Sequence, residues 1–175
     1  MIEMMTVVTI IAILLAIGVP AMSEFAADQR VRTVASDITS EIALARAKAI
    51  ETSRRVYIEK LGVLWNNGWR MYADMNDNAA YDAGVDLEIK RFDGFTTGTI
   101  YVCTLPSVDF ATRVVFRPDG RIVRNGAITA NDGFYVVNVL DAVQANNKIR
   151  GIQFGLSGRA TSLKLNGTAV PCVAN

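Results

Sequence analysis

The sequence predicts an α+β fold in which a long N-terminal α-helix packs on a sandwich-like C-terminal domain of antiparallel β-strands. Three patterns predict this fold. Residues 4–23 form an apolar run without a charged side chain. Apolar residues then recur at spacings of mostly three and four up to about residue 52, which is the period of a helix. After residue 53 the period changes to two, which is typical of strands.

The apolar run has the length of a membrane span. About 20 residues at ~1.5 Å per residue cross the ~30 Å hydrocarbon core of a bilayer. The run is too long for the core of a signal peptide, has Glu3 where a basic residue is typical, and continues into more helix. We therefore expect residues 1–23 to be a retained half-helix that lies in the membrane or in the core of a fibre.

Two residues of this half-helix are candidates for a role in assembly. Glu3 is the only charged residue in positions 1–23, and a carboxylate in an apolar zone is costly unless it is paired. The alternative is that Glu3 lies among lipid headgroups. Pro20 removes one helical hydrogen bond and predicts a kink, which Gly18 nearby favours.

The second half of the predicted helix is amphipathic and needs a domain to pack against. Its expected apolar face consists of Phe25, Val31, Val34, Ala35, Ile38, Ile42, Ala45 and Ala49. We therefore expect a soluble domain over residues 24–175, made of the half-helix 24–52 and a β domain over 53–175.

Alternating residues and turn signals divide the β domain into strands. Predicted strands are 55–65, 69–73, 85–90, 100–103, 114–116, 122–123, about 134–140, 149–156 and 160–165. Asn67-Gly68 predicts a hairpin turn, as does Pro118-Asp119-Gly120, and Ser157-Gly158 and Asn166-Gly167 predict further turns. Trp65, Trp69, Tyr57 and Tyr72 flank the first hairpin. We expect them to pack across strands rather than to stack on bases.

Composition excludes several classes of function. The 175 residues carry 18 basic and 17 acidic side chains and a net charge of +1, so no large basic or acidic excess points to a partner. The absence of histidine removes the commonest general base and most zinc sites. Acidic residues are scattered rather than paired. We predict a protein that is not an enzyme and binds no cofactor.

Two cysteines follow the apolar segment, Cys103 and Cys172. They are either a disulfide or two unrelated buried thiols. Because a membrane-targeted N-terminus indicates export, we favour pairing. In the chain-entropy treatment, a crosslink that closes about 70 residues contributes ~4 kcal/mol to stability.

One polar loop is similar in its spacing to a calcium-binding loop. The similarity rests on Asp74, Asn76, Asn78 and Asp82. Ala79 stands where such a loop has glycine, and Val85 stands where it has a bidentate glutamate. We therefore expect an ordinary polar loop and no metal site.

Basic residues gather in the later strands. They are Arg113, Arg117, Arg121, Arg124, Arg150, Arg159 and Lys164. They are either a surface for phosphate contacts or ordinary solvated charge on strand faces. The near-zero net charge favours the second interpretation.

Several of these features together resemble the superfamily of type IV pilins and type II secretion pseudopilins. Met1-Ile2-Glu3-Met4 with the apolar segment 7–20 (VVTIIAILLAIGVP) is similar to its N-terminal motif. Later features resemble its GspH/FimT subgroup of minor pilins: 30–32, 44–50, Gly68-Trp69, the loop of Asp74, Asn76 and Asp82, 116–120 (FRPDG), Gly158-Arg159 and Cys172. The similarity extends over essentially the whole chain.

The resemblance implies a subunit with a single pass through the bacterial inner membrane and a periplasmic globular domain. Such subunits are extracted and built into a pilus or pseudopilus, where their apolar helices bundle and their partners are other pilin or pseudopilin subunits. Glu3 matches the glutamate that is proposed to neutralise the N-terminal amine of a neighbour, since buried charges are tolerable only in pairs. GspH/FimT members are minor components that are thought to initiate or cap the fibre.

The resemblance also implies residues before Met1. In the family a leader, a glycine at the prepilin peptidase site and a methylated phenylalanine precede this segment. We expect Met1 to mark either a truncated end or a misassigned start.

A second function implied by the resemblance is DNA binding during natural transformation. Some FimT-like pilins bind DNA through a Gly-Arg-x-Arg element near the C-terminus. The matching stretch here is Gly158-Arg159-Ala160-Thr161, which lacks the second arginine. The candidate DNA contacts are Arg159, Lys164, Arg150 and Arg121. This function stays the alternative to fibre assembly.

Overall fold

The computed structural model describes residues 2–95, 100–104, 110–124, 133–138, 149–155 and 157–165. One α-helix, one 3₁₀ helix and eight strands lie in these ranges. They are α1 (Ile2–Thr52), β1 (Val56–Lys60), the 3₁₀ helix (Trp65–Asn67), β2 (Trp69–Ala73), β3 (Leu87–Phe92), β4 (Ile100–Thr104), β5 (Arg113–Phe116), β6 (Gly133–Asn138), β7 (Ile149–Phe154) and β8 (Ala160–Leu165).

The strands form two four-stranded antiparallel sheets. The first has the order β3-β2-β1-β5 and the second the order β4-β6-β7-β8. Tyr57 of β1 lies opposite Tyr72 of β2, and Arg150 of β7 lies opposite Lys164 of β8. The predicted α+β class, with a long helix on antiparallel sheets, is confirmed.

The C-terminal half of α1 packs on both sheets. It contacts β1, β2 and β5 of the first and β6, β7 and β8 of the second. Its buried face repeats at spacings of four and three, which keeps one stripe of the helix on the core. The buried residues are Val31, Ala35, Ile38, Ile42, Ala45 and Ala49. Phe25 was expected on this face but is 59% exposed, because the contact with the β domain begins further along the helix.

The first predicted strand, 55–65, is too long. β1 ends at Lys60, and the chain then passes through the 3₁₀ helix before β2 begins. The reason is Trp65, which is buried and meets the ring of Phe134 edge to face at 4.7 Å between centroids. Its side chain anchors the loop to the second sheet, so the connection is longer than the predicted two-residue turn at Asn67-Gly68.

Other boundaries differ less. β3 begins at Leu87 rather than at Val85, whose amide donates to the carbonyl of Asp82 in a turn. Ile122 forms only an isolated bridge with Phe116 instead of a strand. The parts of predicted strands at 139–140 and 156, and the turn predicted at 166–167, lie outside the described residues.

Candidate assembly helix and surface sites

The stretch Ile2–Val19 of α1 is not buried against the described chain. Residues Ile2–Val19 are long and apolar enough to cross a membrane, and every side chain in that stretch is exposed. Glu3 lies in the first turn of the helix and is exposed as well. A helix that is apolar all round must be covered by lipid or by other helices.

The two hydroxyl groups of Ile2–Val19 are satisfied within the helix itself. Thr6 donates to the carbonyl of Glu3 at 2.7 Å, and Thr9 donates to that of Met5 at 2.8 Å. Such bonds let a hydroxyl enter an apolar medium without an unpaired donor. Glu3 is therefore the one side chain of Ile2–Val19 whose polar group needs a partner from outside.

The helix continues through Pro20 without a break. No described feature tests the predicted kink, which stays a prediction.

The predicted disulfide falls partly within the described structure. Cys103 lies on β4, an edge strand of the second sheet, and is disulfide-bonded. Cys172 lies outside the described residues, so its pairing with Cys103 stays a prediction.

Three carboxylates of the loop from Asp74 to Asp86 accept hydrogen bonds from backbone or side-chain amides of the same loop. Asp74 is almost fully buried and accepts hydrogen bonds from the amides of Asp77 and Ala79, at 2.6 and 2.9 Å. Asp86 accepts from the amide of Asp82 at 2.7 Å. The side-chain amides of Asn76 and Asn78 both donate to Asp82. Among the described residues no three His, Cys, Asp or Glu side chains are placed to hold a metal ion.

The four candidate DNA contacts separate into two groups. Arg121 and Arg159 follow two glycines, Gly120 and Gly158, at which two turns touch: a Cβ on Gly158 would lie 2.4 Å from the carbonyl oxygen of Gly120. Both arginines are exposed. Arg150 and Lys164 are opposite each other on β7 and β8. Lys164 lies four residues beyond Ala160, the neighbour of Arg159, and four residues of strand extend ~13 Å.

Arg150 differs from the other three because its side chain is only 16% exposed. Its guanidinium lies 3.9 Å from Asp28 of α1. It therefore belongs to a cleft between helix and sheet rather than to an open basic face.

The aromatic residues of the first hairpin pack in the protein, as expected. Tyr57 and Tyr72 are stacked across β1 and β2 with ring centroids 5.2 Å apart, and Trp65 and Trp69 are buried. Burial raises the pKa of the Tyr72 hydroxyl well above its usual value.

Sequence reasoning missed a buried polar cluster between α1 and the first sheet. Glu41 is only 7% exposed, although it lies among residues that the helical period places near the surface. The indole of Trp69 donates to it at 2.5 Å, and the ammonium group of Lys90 lies 2.6 Å from it. No pattern in the sequence links a helix residue to partners 28 and 49 positions away.

A comparison with protein families identifies the family of this chain. The family described as "Type II transport protein GspH" matches residues 34–164, which is most of the chain. The chain belongs to the GspH family. Membership confirms the predicted resemblance to type IV pilins and type II secretion pseudopilins. No curated protein sequence matches this GspH-family chain.

Two crystal structures of the type IV minor pilin FimU from Pseudomonas aeruginosa are similar to this GspH-family chain. One has a TM-score of 0.56 and 17% identity over 76% of this chain and 87% of FimU. The other has a TM-score of 0.54 and 16% identity over 75% of this chain and 91% of FimU. At these identities the likeness concerns the fold, which is that of a minor pilin. Family and fold are those of structural subunits, and the apolar half of α1 is a candidate membrane anchor.

Proposed function

We propose that this GspH-family chain is a minor subunit that leaves the bacterial inner membrane and enters a type IV pilus or type II secretion pseudopilus. In the membrane it has a single span and a periplasmic globular domain, and in the fibre its partners are other pilin or pseudopilin subunits. The observation that carries the proposal is that one continuous helix has two surfaces. Its C-terminal half is packed on the β domain, whereas Ile2–Val19 is apolar and wholly exposed.

Burial of that exposed half keeps the helix out of water in either environment. Apolar surface removed from water contributes about 25 cal/mol per Å², and both lipid and a helix bundle provide that burial. Because the two environments are similar for leucine or isoleucine side chains, small polar differences decide between them. Glu3 is the residue that distinguishes them, since a cationic partner in the fibre core would satisfy it.

The role is mechanical and recognitional rather than catalytic. We propose that this subunit helps to initiate or cap the fibre, which is the role that the resemblance to GspH/FimT minor pilins implies. The number and length of fibres in cells that lack the chain distinguish a role in initiation from a role in capping. Loss of an initiator leaves fewer fibres of normal length, whereas loss of a cap changes length at constant number. Unchanged number and length would contradict both.

The first test replaces the carboxylate in the apolar half. We expect Glu3→Leu to reduce incorporation into sheared fibres by about ten-fold or more, which corresponds to about 1.4 kcal/mol of lost pairing. The measurement is the ratio of fibre-bound to membrane-bound chain by immunoblot. Membrane insertion should be unchanged, because leucine favours the bilayer.

Glu51→Leu is the matched control for this test. Glu51 is an exposed carboxylate at the other end of α1, so its loss should leave incorporation unchanged. Equal incorporation of the Glu3→Leu and unmodified chains would contradict the role of Glu3 in assembly, and absence of the unmodified chain from fibres would indicate an anchored periplasmic domain that does not polymerise.

A second candidate function is the binding of DNA by the minor pilin during DNA uptake. The observation that favours it is the contact between two turns that brings the backbones next to Arg121 and Arg159 together, with both side chains exposed. The guanidinium of Arg117 in the same turn is already 3.6 Å from Asp119. The other two candidates, Arg150 and Lys164, lie at a different place on the sheet, so the surface offers two phosphate contacts rather than four.

The test for DNA measures duplex binding by the full chain in non-ionic detergent as salt is raised. We expect Arg159→Ala to weaken binding and to reduce the slope of log K against log[salt] by about 1, the loss of one phosphate contact. Arg30→Ala removes the same charge from an exposed site on α1. It should change neither the affinity for DNA nor the slope of log K against log[salt]. Absence of binding at low salt would remove this function and leave fibre assembly intact.

A further inference from the structure

A polar cleft lies between α1 and the second sheet. It has a volume of about 280 Å³ and is lined by Arg32, Ser36, Thr39, Ser40, Arg150 and Ser162. Two guanidinium groups and four hydroxyl groups therefore surround one space. We name it the Arg32/Arg150 cleft.

The positive charge in this cleft is only partly compensated. Arg32 pairs with Asp28 at 2.6 Å, and the same carboxylate is the nearest acid to Arg150, at the long distance of 3.9 Å. Two guanidinium groups thus share one carboxylate. Lys164, opposite Arg150 on the neighbouring strand, is exposed and forms no ion pair with described residues. The cleft and its rim therefore carry an excess of positive charge.

Hydrogen bonding in the cleft is also incomplete. The Nε atom of Arg150 is buried and has no hydrogen-bond partner in the described part of the chain. The Oδ1 atom of Asp28 is unpaired as well, but it is an acceptor that an anion would not satisfy. Buried polar groups are almost always paired, so each exception needs an explanation. An acceptor in the cleft would satisfy guanidinium donors that Asp28 leaves unused, since a guanidinium carries five N–H groups in a planar fork.

The hydroxyl groups divide into two kinds. Thr39 and Ser40 already donate to the carbonyl groups of Ala35 and Ser36, at 2.7 and 2.9 Å. The hydroxyl groups of Ser36 and Ser162 make no hydrogen bond among the described residues. They are therefore able to donate to a ligand. Donors from a helix and from a strand thus line the same cleft, and an oxyanion accepts hydrogen bonds from such donors.

We propose that the Arg32/Arg150 cleft binds a phosphate group. Guanidinium forks and hydroxyl donors match the oxygens of phosphate, and the uncompensated charge matches its negative charge. Among the described residues no aromatic ring lines the cleft, so they do not provide the stacking surface that single-stranded nucleic acid uses. The ligand is a phosphate group presented without a stacked base.

The source of the phosphate follows from the position of the cleft along α1. Ser36 lies 13 residues beyond Ser23, where the apolar run ends, and 13 residues of helix extend ~20 Å. Headgroups of the bilayer that holds the apolar half do not reach this far. We therefore assign the cleft to a soluble phosphate group rather than to a membrane lipid.

In the experiment, inorganic phosphate is titrated into the full chain in non-ionic detergent at constant ionic strength, and the heat of binding is measured by calorimetry. We expect saturable binding of one phosphate. Arg32→Gln should weaken it about ten-fold, the factor for one charge-assisted hydrogen bond of about 1.5 kcal/mol. The side chain of Arg32 is half exposed, so this variant should fold. Arg150→Gln and Ser162→Ala should weaken binding as well.

Arg30→Gln is the matched control. Arg30 is exposed, carries the same charge and lies two positions from Arg32, so it faces another side of the helix. Equal weakening by Arg30→Gln and Arg32→Gln would show general attraction of anions and overturn the site. Absence of saturable binding would overturn it too. When the same titration is made in nanodiscs of anionic lipid, the phosphate affinity should equal that in detergent. Competition by those lipids would overturn the assignment to a soluble ligand.

Discussion

At the scale of single residues, a buried carboxylate ties the helix to the sheet. Both oxygens of Glu41 are used, one by the indole of Trp69 on β2 and one by the ammonium group of Lys90 on β3. A buried carboxylate is tolerated only when it is paired and hydrogen-bonded. Lys90 is half exposed, so much of its charge stays in water. Glu41 therefore joins α1 to β2 and β3 of the first sheet, in addition to the apolar contacts of the helix.

Replacement of Glu41 tests that dependence. Glu41→Leu leaves the indole N–H of Trp69 without an acceptor inside the protein, and we expect the free energy of unfolding to fall by about 2 kcal/mol. Denaturant unfolding of the full chain in detergent, followed by tryptophan fluorescence, measures the change. Glu51→Leu removes an exposed carboxylate that pairs with Lys48 and should cost less than about 0.5 kcal/mol. Similar losses for both variants would contradict the role of the buried pair.

Asp74 shows why a sequence pattern with the spacing of a metal loop forms a different structure. Both of its oxygens accept backbone amides of the same loop. Asp77 and Ala79, which donate those amides, have positive φ angles of 62°. The carboxylate therefore stabilises a tight turn rather than facing a common centre with the other acidic residues.

At the scale of elements, two turns from different sheets meet at glycine residues. The turn at Arg117–Gly120 is closed by a hydrogen bond from the amide of Gly120 to the carbonyl of Arg117, and the turn at Gly155–Gly158 is closed in the same way. The guanidinium of Arg46 on α1 also donates to the carbonyl of Gly120, at 3.1 Å. Helix and both sheets therefore converge at this point.

A side chain at Gly158 should separate these elements. Its φ of +75° is unfavourable for other residues, and an added Cβ would lie 2.4 Å from the carbonyl oxygen of Gly120. We expect Gly158→Ala to lower the free energy of unfolding by about 2 kcal/mol or more, measured by denaturant unfolding. Gly155→Ala is the control, because its nearest contact would be an ordinary 3.5 Å. A loss for Gly158→Ala no larger than that of the control would contradict the close approach.

At the scale of the whole molecule, the two sheets meet through aromatic side chains and through α1. Trp65 from the first hairpin contacts Phe134, which contacts Phe154 at 5.7 Å between centroids. Val102 of β4 donates its amide to the side chain of Asn66 at 2.6 Å. These contacts hold the edge strand that carries Cys103 close to the first hairpin. A disulfide from β4 would add a covalent restraint to the same region.

Alkylation tests the pairing of the two cysteines. We expect Cys103 and Cys172 to be protected in oxidised protein and both alkylated after reduction, as read by the mass shift. Reduction should lower the free energy of unfolding by up to ~4 kcal/mol, since the crosslink restricts about 70 residues of the unfolded chain. Cys103→Ser with Cys172→Ser is the matched variant, whose stability reductant should not change. Two freely alkylated cysteines in protein from its native compartment would refute the pairing.

The sequence by itself determined the features that depend on neighbouring residues. Helical spacing predicted α1 to within a residue or two of Ile2–Thr52, and turn chemistry placed the turns at Pro118-Asp119-Gly120 and at Ser157-Gly158. The apolar run 4–23 and the carboxylate of Glu3 before it can likewise be recognised from neighbouring residues alone. These predictions succeed because period and turn type are set within a few positions of the chain.

Only the tertiary structure decided which distant residues meet. It ended β1 at Lys60 because Trp65 packs against the second sheet, and it left Phe25 exposed because the β domain begins to contact α1 further along the helix. It also divided the four candidate DNA contacts into an exposed pair at two touching turns and a second pair at the Arg32/Arg150 cleft, of which Arg150 is largely buried and Lys164 is exposed. The physical reason is that burial and pairing depend on how the sheets and helix pack, and that packing joins side chains whose separation in sequence carries no periodic signal.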